Sequence, residues 1–517
     1  MPRPGRGRAV VGRSGVCDEQ NLNRRAAGGG RVAAVTGASL TLLSGLPAQA
    51  EDPPTWPVVS TEPGQVLYVP SGSFGTATAA AAFHGNVTII YDDPDSDDPY
   101  VAVPVNGPWV PGPSYGVMNW ITRGGATIHV PSGSTIQAGS NYAGAFIDAQ
   151  TRHASFLGNP TKFINDGIIS FYDDNVEILA LHGFDFRNNG TLEIGNILLQ
   201  NVDDPTGDVL FRNTGHIKAD YIFLFNMGVR LGPTGTTPYE GDIVFHNLGT
   251  ESVIESQDWL LDIWGSGRID IVNQGAIRSL PDTGIYITST NDSYVATGSL
   301  NDLRPFQEIT VRNEGLIQAA DPLEVELSSD DFEYTGYGSA GDLSRLLMPA
   351  GTGLYNGPGA AGTVTENARA QIIATGGIAV TWAAGGTITN HGDIRADSDT
   401  AILVEKWATV TEVDGTYPYC NSTLDNCLRW IEVVNPLTVV NGADGVIYGG
   451  YAGILTSSLY FSGSGGADEA FFYSGTSGPL LTINNAGLIG SAGTTIDSTV
   501  ETRVVNEGRI ESGGLAI

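Results

Sequence analysis

The stretch Phe163-Ile164-Asn165-Asp166-Gly167-Ile168-Ile169 decides how this chain folds, because its pattern, apolar-x-Asn-x-Gly-x-(Ile/Leu), returns along the 517 residues. It recurs around Asn188/Gly190, Asn213/Gly215, Asn273/Gly275, Asn313/Gly315, Asn390/Gly392, Asn485/Gly487 and Asn506/Gly508. Self-similarity of this kind marks a stacked-repeat architecture, and it favours a scaffold over a pocket enzyme. Successive glycines lie 23 (167 to 190), 25 (190 to 215), 34 (215 to 249, a degraded copy with Asn247 and Gly249), 26 (249 to 275) and 40 (275 to 315) residues apart, and the last pair (487 to 508) lies 21 apart. A unit of about 20 to 26 residues fits one rung of a coil of two or three short strands, and longer gaps read as rungs with an insertion or pairs with one unrecognisable member. About 14 to 16 rungs are expected between Gly167 and Gly508, a rod of roughly 70 Å at ~4.8 Å per rung.

Within the phrase, Phe163, Asn165, Gly167 and Ile169 share one parity, so an extended chain points them all inward. Gly accepts positive φ and Asn tolerates it, which makes Asn-x-Gly a corner between strands. Asparagines repeated at one corner can bond as an amide ladder beside stacked Ile, Leu, Val and Phe. A second apolar beat follows at Gly284-Ile285, Ala401-Ile402, Gly453-Ile454 and Ala516-Ile517, so two strands per rung are visible. The expected fold is all-β, a right-handed parallel β-helix (β-solenoid) with an N-terminal cap and loop insertions, against the alternative of an antiparallel β-sandwich array.

Composition bounds the function. The chain holds 69 Gly, 16% charged residues and 4 Met, and no stretch shows sustained helical periodicity. Seven of its 25 Lys+Arg (Arg3, Arg6, Arg8, Arg13, Arg24, Arg25, Arg31) fall in the first 50 residues beside Asp18 and Glu19. Residues 51 to 517 therefore carry 18 basic and 54 acidic side chains, a formal charge of −36. Such a surface repels nucleic acid and anionic lipid. Residues 1–50 read as a signal peptide: Arg24, Arg25 and Arg31 precede the apolar run from Val32 to Leu46, which ends in Pro47-Ala48-Gln49-Ala50. No later segment reaches 18 consecutive apolar residues. In an exported chain Cys420 and Cys427 read as a disulfide closing a small loop, worth roughly 2.5 kcal/mol.

Residues 51–160 lack the phrase and read as an N-terminal cap with the first rungs, and 161–517 as the β-helix repeats, truncated at the C-terminus where Asn506 to Ile517 halts on a second beat. Two insertions stand out, 321 to 363 with Ser328-Ser329-Asp330-Asp331, and 405 to 435 with both cysteines, Trp407 and Trp430. Loops leaving one face of a solenoid are where binding usually lives.

Taken together, the signal ending Ala48-Gln49-Ala50, the phrases Asn313-Glu314-Gly315-Leu316-Ile317 and Asn390-His391-Gly392-Asp393-Ile394, the acidic charge and the scarcity of cysteine resemble the autotransporter passenger domains of bacterial type V secretion, over roughly residues 120 to 517. The resemblance implies an exported or surface-displayed adhesin-like rod that needs no cofactor, with an inert structural stalk that only displays something else as an alternative. Its implied partners are host, matrix or neighbouring-cell surface ligands, protein or glycan, and a downstream outer-membrane translocator barrel. The strands of such a barrel are absent from this sequence.

Enzymatic readings fare less well. Asp282-Thr283-Gly284, His391-Gly392 and Gly475-Thr476-Ser477 follow the order of a subtilisin-like triad, yet the first two sit inside repeat phrases and the third lacks its helical setting. A chymotrypsin-like Gly-Asp-Ser-Gly string is missing. A β-helical polysaccharide lyase or glycoside hydrolase is the stronger rival, with Asp173-Asp174, Asp203-Asp204 and Asp330-Asp331 as candidate acids and bases. Asp92 to Asp98 clusters oxygen ligands but fails the EF-hand pattern at Asp98 and Pro104. The histidines His216, His246 and His391 occupy variable positions and read as outward decoration, and no metal site is expected.

Overall fold

The computed structural model describes the backbone of seven strands between residues 66 and 149. From 161 to 516 it describes all but 172–175, 181–183, 202–206, 227–240, 257–259, 291–305, 329–346, 359–369, 406–407, 413–427, 434, 458–470 and 474–477. The repeated part is a parallel β-helix.

Each rung has three sides. In the rung that starts at Phe184, the first side is the strand Phe184–Asn188, and Asn189-Gly190 turns the corner. The strand Thr191–Asn201 then supplies the second side up to Ile194 and the third from Asn196. First-side strands stack in parallel register from Thr161–Asn165 to Thr502–Asn506, eleven in all, within a 14-stranded sheet. Second and third sides share a 21-stranded sheet because Thr191–Asn201, His216–Asn226, Ala276–Thr290 and Leu316–Ser328 run through both.

Two expectations change. A rung has three strands rather than the two visible in sequence, and eleven rungs, not 14 to 16, lie between Gly167 and Gly508. The long glycine spacings are single rungs carrying insertions: the 40 residues from Asn273 to Asn313 span one register step. Ten steps of ~4.8 Å give this stack about 48 Å. Likewise, 321 to 363 is not one insertion. Leu316–Ser328 is second and third side, and Gly353–Asn356 is a complete first-side strand.

At the N-terminal side the pairing changes hand. Ala126–Val130 runs parallel to Thr161–Asn165 but antiparallel to Val87–Tyr91, which is antiparallel to Val66–Val69. Antiparallel strands occupy backbone groups that an open parallel edge leaves unpaired.

Inward residues form columns, because parallel register places like on like. Phe163, Phe186, Phe211 and Phe245 stack with ring centroids 5.3, 4.6 and 4.9 Å apart. The same column continues through Ile271, Val311, Leu354, Ile388, Val439 and Ile483, all buried. On the second side Leu192, Ile217, Ile254 and Ile277 repeat the pattern, and on the third Ile197, Ile222, Leu261, Ile285, Ile402 and Ile454. Each such side chain contributes roughly 1.5–3 kcal/mol of burial. The second apolar beat is thus the inward register of the third side.

A separate three-stranded sheet belongs to the insertions. Ala408–Glu412 pairs antiparallel with Leu428–Val433, which pairs in parallel with Phe471–Tyr473 from the insertion one rung later.

Candidate functional site

The phrase residues meet at one corner. Asn165, Asn188, Asn213, Asn247, Asn273, Asn313, Asn356, Asn390, Asn441, Asn485 and Asn506 stack in register, and each Nδ2 donates to Oδ1 of the next at 2.7–2.8 Å. Every donor points toward the C-terminal rungs, so the amide dipoles align and reinforce one another. The same Nδ2 also reaches a backbone carbonyl of the next rung, as Asn165 does to Thr191 at 3.0 Å, while Oδ1 accepts the N–H of its own glycine, as from Gly167 at 3.1 Å. Asn356 and Asn441 are not legible as copies in the sequence. In the first, Gly357 follows the asparagine directly, and in the second, Gly442 follows at once and Gly445 sits two residues late.

The glycines of the phrase serve a purpose other than the one their sequence suggests. Among the described residues only Gly249, Gly385 and Gly386 have positive φ. At Gly190, Gly215, Gly275, Gly315, Gly392, Gly487 and Gly508 a Cβ would lie well under 3.0 Å from a backbone carbonyl oxygen one rung back. The corner needs glycine for rung-to-rung closeness, not for a left-handed backbone.

This corner is structural, which leaves the three outer faces as places for chemistry. On the first and second faces several charges are paired. Arg187 pairs with Asp185, His246 with Asp270 at 3.2 Å, Lys218 with Glu193 at 2.8 Å, and Arg278 and His216 with Glu255 at 3.2 and 3.7 Å. These contacts hold the Glu193 carboxyl below its usual range through Lys218, and that of Asp270 through His246. His391 lies against Tyr355, ring centroids 6.1 Å apart.

The third face differs. Its outward row reads Tyr221, Phe223 and Phe225 on one rung, Asp262 and Trp264 on the next, then Tyr286 and Thr288, then Glu324 and Glu326, with Glu405 at the end of the strand Ile402–Val404 two rungs further on. No described side chain on this face is basic. Tyr221 donates to Asp262 Oδ2 at 2.9 Å, and the Tyr286 hydroxyl donates to Glu326. Burial pushes the Asp262 carboxyl up to about 6, against the pull of the Tyr221 and Trp264 donors. Glu405 is raised by burial and then by the charge of Glu326, and the Tyr286 phenol is raised by burial and by the same carboxylate. In chain order, the insertions 227–240, 291–305, 329–346, 406–433 and 458–477 all follow a third-side strand, at the edge of this face.

Holding a charge there costs stability. Between its unfolded value of 3.8 and its folded value near 6, the Asp262 carboxyl binds its proton more firmly in the folded state, so the contribution is complete below pH 4 and lost as pH rises through 6. Asp262→Asn keeps the acceptor for Tyr221 and removes the charge. It is expected to raise stability at pH 7 by up to about 3 kcal/mol while leaving pH 4 nearly unchanged. Urea midpoints of both proteins at the two pH values check this, and a gain of equal size at pH 4 and pH 7 refutes it.

Several sequence candidates lie outside the described residues: Cys420 and Cys427, Trp407, the pairs Asp173-Asp174, Asp203-Asp204 and Asp330-Asp331, and the cluster Asp92 to Asp98. So do Ser477 and the side chain of Asp282. Comparison with protein-family models, with curated proteins and with solved structures finds no match to this chain.

Proposed function

We propose that this chain is an exported, surface-displayed or secreted β-helical scaffold of the autotransporter-passenger kind, acting in adhesion through its third outer face. The observation that carries the reading is the division of labour among the faces. The first two carry ion pairs such as Arg187 with Asp185 and Lys218 with Glu193, while the third presents aromatics and carboxylates with no basic residue among those described, beside the edge that several insertions follow. Aromatic surface next to acceptors binds both protein and glycan, and repetition along a rod allows several contacts to act together. The signal-like first 50 residues and the charge of −31 support an extracellular setting.

Beads coated with the protein should adhere to cultured cells or extracellular matrix. The double substitution Trp264→Ala with Glu326→Gln should reduce that adhesion about tenfold, since anchor side chains dominate binding energies. Unchanged adhesion rules out the third face as the contact surface.

One observation favours a second reading, a polysaccharide-cleaving enzyme. A carboxyl titrating near 6 on an outer face, two rungs from Glu324 and Glu326, has the character of a general acid. Incubation with uronate and neutral glycans separates the two, because glycan cleavage that disappears in Asp262→Asn makes the enzyme reading correct.

A further inference from the structure

Two of the eleven ladder asparagines carry a chemical liability that the other nine lack. Asn356 and Asn441 are followed directly by glycine, Gly357 and Gly442, and the others by residues with a side chain. With no Cβ to crowd it, a glycine nitrogen reaches the Cγ of the preceding asparagine readily, so Asn-Gly is the pair most prone to deamidation. His391 accounts for the two glycines. It occupies the corner on the rung between them, where a Cβ on Gly442 would meet its ring and one on Gly357 would crowd its Cβ and the Tyr355 hydroxyl. The closed corner holds the reacting atoms in other bonds. The Gly442 N–H donates to the Asn390 carbonyl at 2.8 Å and the Gly357 N–H to that of Asn313 at 3.0 Å, so the proton that must leave before either nitrogen attacks is engaged. The Asn441 amide accepts from Asn390 at 2.8 Å and donates to Asn485 Oδ1 at 2.8 Å and to the Leu488 carbonyl at 3.1 Å. Asn356 is clamped alike between Asn313 and Asn390, and both side chains are sealed from water.

We propose that Asn356-Gly357 and Asn441-Gly442 are modification sites that act as a one-way latch on the rod: they stay intact while their rungs are closed, and they deamidate when a rung opens, after which the corner does not re-form. In the opened chain a base removes the glycine N–H proton, the nitrogen bonds to the asparagine Cγ, and the side-chain nitrogen leaves as ammonia. Water then opens the succinimide at either carbonyl, leaving aspartate or isoaspartate. Neither product fits. An aspartate at position 441 loses the donor to Asn485 and Leu488 and sets a buried carboxylate against their oxygens. Isoaspartate adds a methylene to the main chain, which displaces the corner between the strands Leu437–Asn441 and Val446–Gly449 from its register. The latch limits the lifetime of the scaffold and is independent of what the outer faces bind.

The test incubates the full chain at pH 8 in native buffer and in urea strong enough to unfold it, and follows amide-to-acid conversion at each asparagine by peptide mapping and mass spectrometry. Expected in urea is conversion at Asn356 and Asn441 well ahead of Asn313 and Asn485. In native buffer the rate at Asn356 and Asn441 should be at least about a hundredfold lower than in urea, because only the opened fraction reacts. After urea is removed, chains converted at either position should be missing from the fraction that regains native amide-exchange protection. Direct substitution checks the latch. Asn441→Asp should raise amide exchange in the strands Leu437–Asn441 and Leu481–Asn485 at least about a hundredfold. Asn189 is exposed on the outer side of the same corner, where its amide bonds Asp166 and Thr214 at 2.7 Å, and Asn189→Asp should change exchange in its own rung by no more than about fivefold. Equal conversion rates in native buffer and in urea would overturn the proposal, and the wild-type chain decides this even where Asn441→Asp does not fold. Converted chains that regain full protection, ladder asparagines without a following glycine that convert as fast in urea, or an Asn441→Asp protein that exchanges like Asn189→Asp overturn it as well.

Discussion

Alanine at Gly315 is expected to destabilise the protein by about 4 kcal/mol or more, the class of effect reserved for forced overpacking. Its Cβ would meet the carbonyl oxygen of Gly275 and the backbone of Gln274, none of which can rotate away as a side chain would. That same Gly275 oxygen accepts the N–H of Leu316 at 2.8 Å, so moving it aside breaks the ladder of hydrogen bonds at the corner. Gly376 supplies the control: a Cβ there lies 3.5 Å from Ala320 Cβ, an ordinary contact, and Gly376→Ala should stay within about 0.5 kcal/mol. Because a solenoid loses structure rung by rung, amide hydrogen exchange across the stack is the appropriate measurement. Wild-type protection around residue 315 in the Gly315→Ala protein contradicts the steric account.

The second large effect belongs to the amide ladder. Asn273 donates to Asn313 Oδ1 at 2.8 Å and to the Leu316 carbonyl at 3.1 Å, and accepts from Asn247 at 2.8 Å, all without exposure to water. Asn273→Leu keeps the volume and removes these bonds together with the one Asn273 donates to the Gly275 carbonyl at 3.3 Å, leaving buried groups on two neighbouring rungs unsatisfied, for an expected loss of about 3 to 6 kcal/mol. Asn506 is exposed at the last described rung and bonds Asn485 on one side only, so Asn506→Leu should cost under about 1 kcal/mol. Chemical denaturation of both variants decides it. Similar losses at the two positions would mean that the ladder is decorative and that the apolar columns hold the corner alone.

The third-face site escaped the sequence for a physical reason. Asp262 and Tyr286 stand 24 residues apart, Tyr286 and Glu324 38 apart, and Glu326 and Glu405 79 apart, with no motif connecting them. Their only shared mark is local. Each follows an inward residue of the second beat, as in Leu261-Asp262-Ile263-Trp264, Ile285-Tyr286-Ile287-Thr288 and Leu323-Glu324-Val325-Glu326. Aligning the rungs on that beat, and reading only the alternate positions, would have assembled the row. The Asp pairs drew attention instead because adjacency in sequence is easy to see, although neighbours along a strand point to opposite faces.

What the sequence by itself determined is the architecture: a repeated Asn and Gly at one corner, and apolar residues at one parity, admit parallel stacking in register and little else, since a slip of one residue would expose every Ile and Phe of the core. Only the tertiary structure decided the number of sides and rungs, the reason for glycine at the corner, and the composition of each outer face. Insertions change the spacing along the chain without changing the ~4.8 Å step between rungs, so residues separated by anywhere from 19 to 57 positions become neighbours one rung apart. Side chains become a site through that constant step in space, and a linear sequence does not record it.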